Sequence, residues 1–165
     1  MWSSKLSRRF VLIGAASALT ACGFQPVYGP GVASTAILGQ IEVDEIKTSD
    51  GFHLTRQLEH RLGRSSQPQF GLSIALTTEE KGVAVTSDNQ TTRIEIFGTA
   101  TYALRALGSN EVVLTGKANS FTGYSTTGTT VSELASERDA RERLMIILAD
   151  QIATQLLARA GELPQ

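Results

Sequence analysis

Three stretches of strict alternation constrain this chain more than any other feature. Phe70, Leu72, Ile74 and Leu76 alternate with Gly71, Ser73, Ala75 and Thr77. Ile94, Ile96, Ala100, Tyr102, Leu104 and Ala106 share one face, interrupted at Gly98. Arg93, Glu95, Thr99, Thr101 and Arg105 take the other face. Between about Glu111 and Tyr124, Val112, Leu114, Gly116 and Ala118 lie on one side, with Thr115, Lys117 and Asn119 opposite. Side chains reverse direction at every residue of a strand, so each stretch predicts a strand with one apolar and one polar face. Such strands belong to an antiparallel sheet covered on one side only. Gly108-Ser109-Asn110 suits a hairpin turn, and residues 81–92 hold turn chemistry around Asp88 and Asn89.

A half-apolar sheet needs a cover, and two segments have helical spacing. Leu54, Leu58 and Leu62 recur every four residues, after a Ser49-Asp50 cap and before a Gly63 stop. The segment from Ser132 to Ala160 carries Leu144, Met145, Leu148, Ile152 and Leu156 as a stripe. Its first turns, residues 133–143, are highly charged and are expected to be solvated. Ile41 and Val43 alternate with charged residues within 37–47, which predicts a first strand. Residues 119–132 are Ser/Thr/Gly-rich and uncharged, and read as a loop or strand extension. The expected fold is α+β: a β-α-β-β-β-α order forming a two-layer sandwich, with a four-stranded, mostly antiparallel sheet packed against two helices.

The amino-terminal segment does not belong to that fold. Lys5, Arg8 and Arg9 precede an apolar run from Phe10 to Leu19, which is shorter than the ~20 apolar residues a membrane span needs. Leu19-Thr20-Ala21-Cys22-Gly23 follows, and Cys22 is the only cysteine. This is the layout of a bacterial lipoprotein signal, cut before Cys22 so that its thiol takes lipid. Two or more acyl chains give stable anchoring. Ser7-Arg8-Arg9-Phe10 also resembles a twin-arginine export signal, and both export routes stay open. The expected organisation is a signal at 1–21, a lipidated extended leader at 22–36 rich in Gly and Pro, and a single domain at 37–165. Loss of Lys5, Arg8 and Arg9 takes the formal charge from −1 to −4. Wholesale attraction to nucleic acid is therefore not expected. With Cys22 acylated, no disulfide can form.

Catalytic chemistry is absent from the motifs. His53 and His60 lack a carboxylate frame for a metal, and no nucleophile elbow or phosphate loop occurs. Glu79 and Glu80 are adjacent in a strand and point to opposite faces. No catalytic residues, metal or cofactor are expected.

The run Leu19-Thr20-Ala21-Cys22-Gly23-Phe24-Gln25-Pro26-Val27-Tyr28-Gly29 resembles the start of the LPS-assembly lipoprotein family, LptE, in its alphaproteobacterial form. The strand through Ile94 to Leu107, its partner near Ser120-Phe121, and the closing helix with Asp139-Ala140 and Leu148-Ala149-Asp150-Gln151-Ile152 extend the resemblance. It implies an outer-membrane lipoprotein facing the periplasm, with two helices on a four-stranded sheet. It also implies a partner, the LptD-type outer-membrane β-barrel, which members plug and help assemble, and a ligand, lipopolysaccharide. Lipopolysaccharide carries phosphates and carboxylates, so its binding calls for Lys or Arg. Arg93, Arg105 and Lys117 lie on the polar sheet face by alternation, with Lys81 near its edge, and these four are the candidates. A competing reading with the same anchor and size is a lipid-binding subunit of another envelope lipid transporter. Replacing Cys22 with Ala should abolish acylation and outer-membrane placement while leaving the domain folded. Detergent phase partitioning alongside circular dichroism checks this, and continued lipid-mediated membrane fractionation of the variant contradicts it.

Overall fold

The computed structural model describes residues 37–85 and 91–164. The signal, the leader with Cys22, and the turn at Asp88-Asn89 lie outside the described residues. Strands β1 (Ile41–Val43), β2 (Phe70–Val85), β3 (Thr91–Ala106) and β4 (Glu111–Ser125) form one sheet in that spatial order. Helix α1 (Ser49–Leu62) connects β1 to β2, which run parallel, and the other neighbours are antiparallel. Helix α2 (Thr130–Ala158) follows β4 and ends in a 3₁₀ turn at Ala160–Glu162. The order is the expected β-α-β-β-β-α.

Both helices lie on the sheet face that carries the apolar positions. Leu54, Leu58 and Leu62 of α1 are fully buried, as are Leu144, Met145, Leu148, Ile152 and Leu156 of α2. They meet Leu72, Ile96, Ala100, Tyr102 and Leu104 from the sheet. Each such aliphatic side chain contributes about 1.5–3 kcal/mol when taken out of water. The break in alternation at Gly98 has a packing cause. A Cβ there would lie 2.9 Å from Leu148 Cδ1 and 3.1 Å from Leu144 Cδ2, so α2 rests on the bare backbone of β3. Gly116 plays a similar part for Tyr102, whose buried ring fills the space above it and whose hydroxyl donates to Gln155 Oε1 at 2.8 Å.

The boundaries differ from expectation in instructive ways. β1 is only three residues long, because it pairs with β2 at Ile41, Glu42 and Val43 alone. β2 continues through the predicted turn region to Val85, so residues 81–85 are strand; the ladder with β3 decides this against local turn propensity. β4 runs to Ser125, so of the two readings for residues 119–132, loop or strand extension, the extension holds as far as 125. α2 starts at Thr130, two residues before the expected Ser132, and the Thr129 hydroxyl caps it by accepting from the Ser132 N–H. Val112 was expected on the covered face but is half exposed. A bulge between the Leu104 and Arg105 pairings shifts the register there.

The charged start of α2 is also not simply solvated. Arg141 reaches Asp50 of α1 at 3.1 Å, Glu137 at 2.9 Å and Glu80 of β2, which ties two helices to the sheet. Burial alone would lower the Arg141 pKa, but the Glu137 hydrogen bond and the carboxylates at Asp50 and Glu80 leave it raised. The nearby Tyr124 hydroxyl is pushed up by burial and then by Glu80, Glu137 and Glu133, with Arg141 partly offsetting them.

Gly116→Ala should destabilise the domain by about 1–3 kcal/mol, the usual cost of overfilling a packed site. Urea unfolding measures it. A change under a few tenths of a kcal/mol would show that the Tyr102 ring has room to move.

Candidate functional site

The face of the sheet turned away from the helices is uncovered by any described residue. Odd-numbered positions of β2 below the bulge, β3 and β4 supply it, because their even-numbered neighbours face the helices. The four basic candidates all lie on this face, but the structure does not gather them into one cluster. Arg93 and Arg105 sit near opposite ends of β3, about 40 Å apart at strand rise. Lys117 stands opposite Thr101 between them.

Arg105 is engaged elsewhere. Its Nη2 donates to Asp44 Oδ2 at 2.7 Å, which clamps the segment after β1 to β3, and its Nε is buried without a hydrogen-bond partner. Lys81, Arg93 and Lys117 make no ion pair among the described residues. Lys81 faces Glu95 across the β2–β3 ladder, and Arg93 follows two residues away on the same face. Arg93 pairs with Ser125 of β4, and its side chain reaches diagonally over Gly123, where a Cβ would come within 3.2 Å of its Nη2. The Gly123 position therefore gives the guanidinium its bed.

Two aromatic residues complete this end of the face. Phe97 and Phe121 are directly paired across β3 and β4, with ring centroids 5.7 Å apart and planes 29° from parallel. Lys81 Nζ stands 5.1 Å from the Phe97 centroid, on the β2 side. Phe121 is 59% exposed. Beside them, the Thr99 hydroxyl donates to Asn119 Oδ1 at 3.1 Å. Neither phenylalanine is among the site residues expected from the sequence. The signal was there, since Phe97 falls at an odd position on an otherwise polar face and so breaks the pattern as an apolar residue with no core to join.

This arrangement can hold an anionic or polar surface, but it contains no nucleophile–base pair. Glu79 and Glu95 share the face, so it is mixed in charge. On the helix side, His53 Nδ1 lies 3.7 Å from Glu142 Oε1, which Arg56 also contacts at 3.1 Å. His60 is exposed. No three His, Cys, Asp or Glu among the described residues converge on a metal-sized site. A groove of about 420 Å³ on α2 is lined by Ile147, Asp150, Gln151, Thr154 and Gln155. No described helix is long and apolar enough to cross a membrane.

Comparisons with known proteins agree with this architecture. Among solved structures, a Caulobacter crescentus CB15 protein assigned as a lipoprotein superposes with a TM-score of 0.66 at 17% identity, over 78% of this chain and 96% of that one. The rare lipoprotein B of Shewanella oneidensis gives 0.59 at 13% identity, over 74% and 95%. Lipoprotein B of Nitrosomonas europaea gives 0.58 at 13%, over 84% and 93%. At such identities these likenesses establish a shared fold. No curated protein sequence matches the chain. The model of the LptE family, described as lipopolysaccharide-assembly, matches residues 38–156, which takes in the whole sheet and nearly all of both helices. The chain belongs to the LptE lipopolysaccharide-assembly family.

Proposed function

We propose that this protein is a lipoprotein held at the periplasmic face of the outer membrane through Cys22. There it plugs and helps assemble an LptD-type β-barrel and assists lipopolysaccharide delivery to the outer leaflet. The observation that carries this reading is the family match across residues 38–156. The role is one of binding and assembly, without catalysis, cofactor or nucleic acid. The uncovered sheet face supports it physically. A protein seated in a barrel lumen meets polar walls, and a face of Thr, Asn, Lys, Arg and Glu suits them.

Lipopolysaccharide binding is assigned to the cations of that face. Lys81 and Arg93 come first, because they lie near each other on the β2–β3 ladder and make no ion pair among the described residues. Lys117 extends the track along β4. Arg105 contributes least, because its charge is already balanced by Asp44 at 2.7 Å.

Reversing Lys81, Arg93 and Lys117 together to Glu should weaken lipopolysaccharide binding by about tenfold or more, since one charge-assisted contact is worth about 1.5–3 kcal/mol. Arg105→Glu alone should change it little. Titration of purified full-length protein with lipopolysaccharide reads both, and unchanged affinity in the triple variant removes the site. The plug role is tested separately by mild-detergent purification of the tagged protein from native membranes. A stoichiometric complex with a much larger barrel supports it, and recovery with an inner-membrane transporter instead overturns it.

A further inference from the structure

β4 is the last strand of the sheet, and among the described residues one of its edges has no neighbour. Strand alternation fixes which backbone groups point that way. The Thr126 N–H donates to the Thr92 carbonyl at 3.1 Å, so even-numbered residues of β4 bond to β3. The odd-numbered ones, Thr115, Lys117, Asn119, Phe121 and Gly123, turn their N–H and C=O groups outward.

Side chains of α2 reach around and occupy part of this edge. Arg159 Nη1 donates to the Thr115 carbonyl at 3.1 Å, Gln155 Nε2 to the Lys117 carbonyl at 3.3 Å, and Arg143 Nη2 to the Gly123 carbonyl at 3.4 Å. Between these guarded points, Asn119 and Phe121 keep outward N–H and C=O groups with no partner among the described residues. Exposed edges of this kind are usually blunted, because they template strand pairing. Here the blunting stops at one window.

A second, independent feature ends at the same window. Lys81, Phe97 and Phe121 stack in a row across β2, β3 and β4, each against the next. One face of the Phe121 ring meets Phe97, and the other looks past the free edge. A fifth strand would pair with the backbone at Asn119 and Phe121 and place a side chain against that open ring.

We propose that the Asn119–Phe121 edge takes up an extended polypeptide segment of the partner barrel by β-strand addition. Aligned main-chain groups supply the affinity, and an aromatic or cationic residue opposite Phe121 continues the row. A closed barrel has no unpaired strand edge, so the segment comes from one of its loops. A second copy of this chain fits poorly in the register centred on Asn119. A two-fold axis through Asn119 sets Thr115 against Gly123 of the other copy, which brings Arg159 against the other copy's Arg143 twice. The proposal rests on the barrel reading above for the identity of its partner.

The test is backbone amide exchange in full-length protein, alone and in the complex purified from native membranes. Alone, the Asn119 and Phe121 amides should exchange fast while Ala118 and Ser120, bonded to β3, are protected. In the complex, Asn119 and Phe121 should slow by about a hundredfold or more. Asn119→Pro removes an outward N–H without removing a β3 bond, so it should leave the fold intact and weaken the complex, whereas Asn119→Ala should keep it. A recovered barrel complex in which Asn119 and Phe121 exchange as in the free chain overturns strand addition and leaves the barrel reading standing. Protection already present in the isolated protein, at twice the monomer mass, assigns the edge to a second copy and overturns the proposal. Failure to recover any barrel with the wild type overturns both.

Discussion

At Gly98 the helix α2 rests on the bare backbone of β3, with Leu144 and Leu148 filling the place a side chain would take. The rest of the architecture follows from that contact. It sets α2 over β3 and β4, with its Leu/Ile stripe against the apolar face, and leaves α1 to cover the β1 side by packing on α2. Both helices are thereby spent on one face. No described residue covers the opposite face, and its Thr, Asn, Lys and Arg side chains match that exposure.

Charge reinforces the same layering. Arg141 joins α1, α2 and β2 through Asp50, Glu137 and Glu80. Arg105 joins β3 to Asp44 after β1, where the sheet has only a three-residue edge strand to close it. These two arginines hold the fold together. Lys81, Arg93 and Lys117, which make no ion pair among the described residues, stand on the face away from the helices. Under the proposed function the working surface has to meet both a polar barrel wall and an anionic glycolipid, and this division of labour among arginines and lysines suits that role.

Much of this was legible in the residues. Period-two alternation located β2, β3 and β4, and the Leu stripes located both helices, because each element buries one face against the same core. What was not legible depends on partners distant in sequence. β2 runs on to Val85 because β3 offers it a ladder, against local turn propensity. Val112 leaves the core face because a bulge shifts its register, which no local pattern announces. At the candidate site, alternation placed all four basic residues on the correct face, but it could not show that Asp44 occupies Arg105. Phe97 and Phe121 were visible as anomalies, yet only the β3–β4 register shows that they meet.

The sheet face that no described residue covers is the proposed working face. Hydroxyl-radical footprinting of the full-length protein, free and in native membranes, tests it most directly, because phenylalanine side chains report their own exposure. Phe97 and Phe121 are expected to lose most of their labelling in membranes relative to the free protein. Labelling of both residues unchanged between the two states would contradict it.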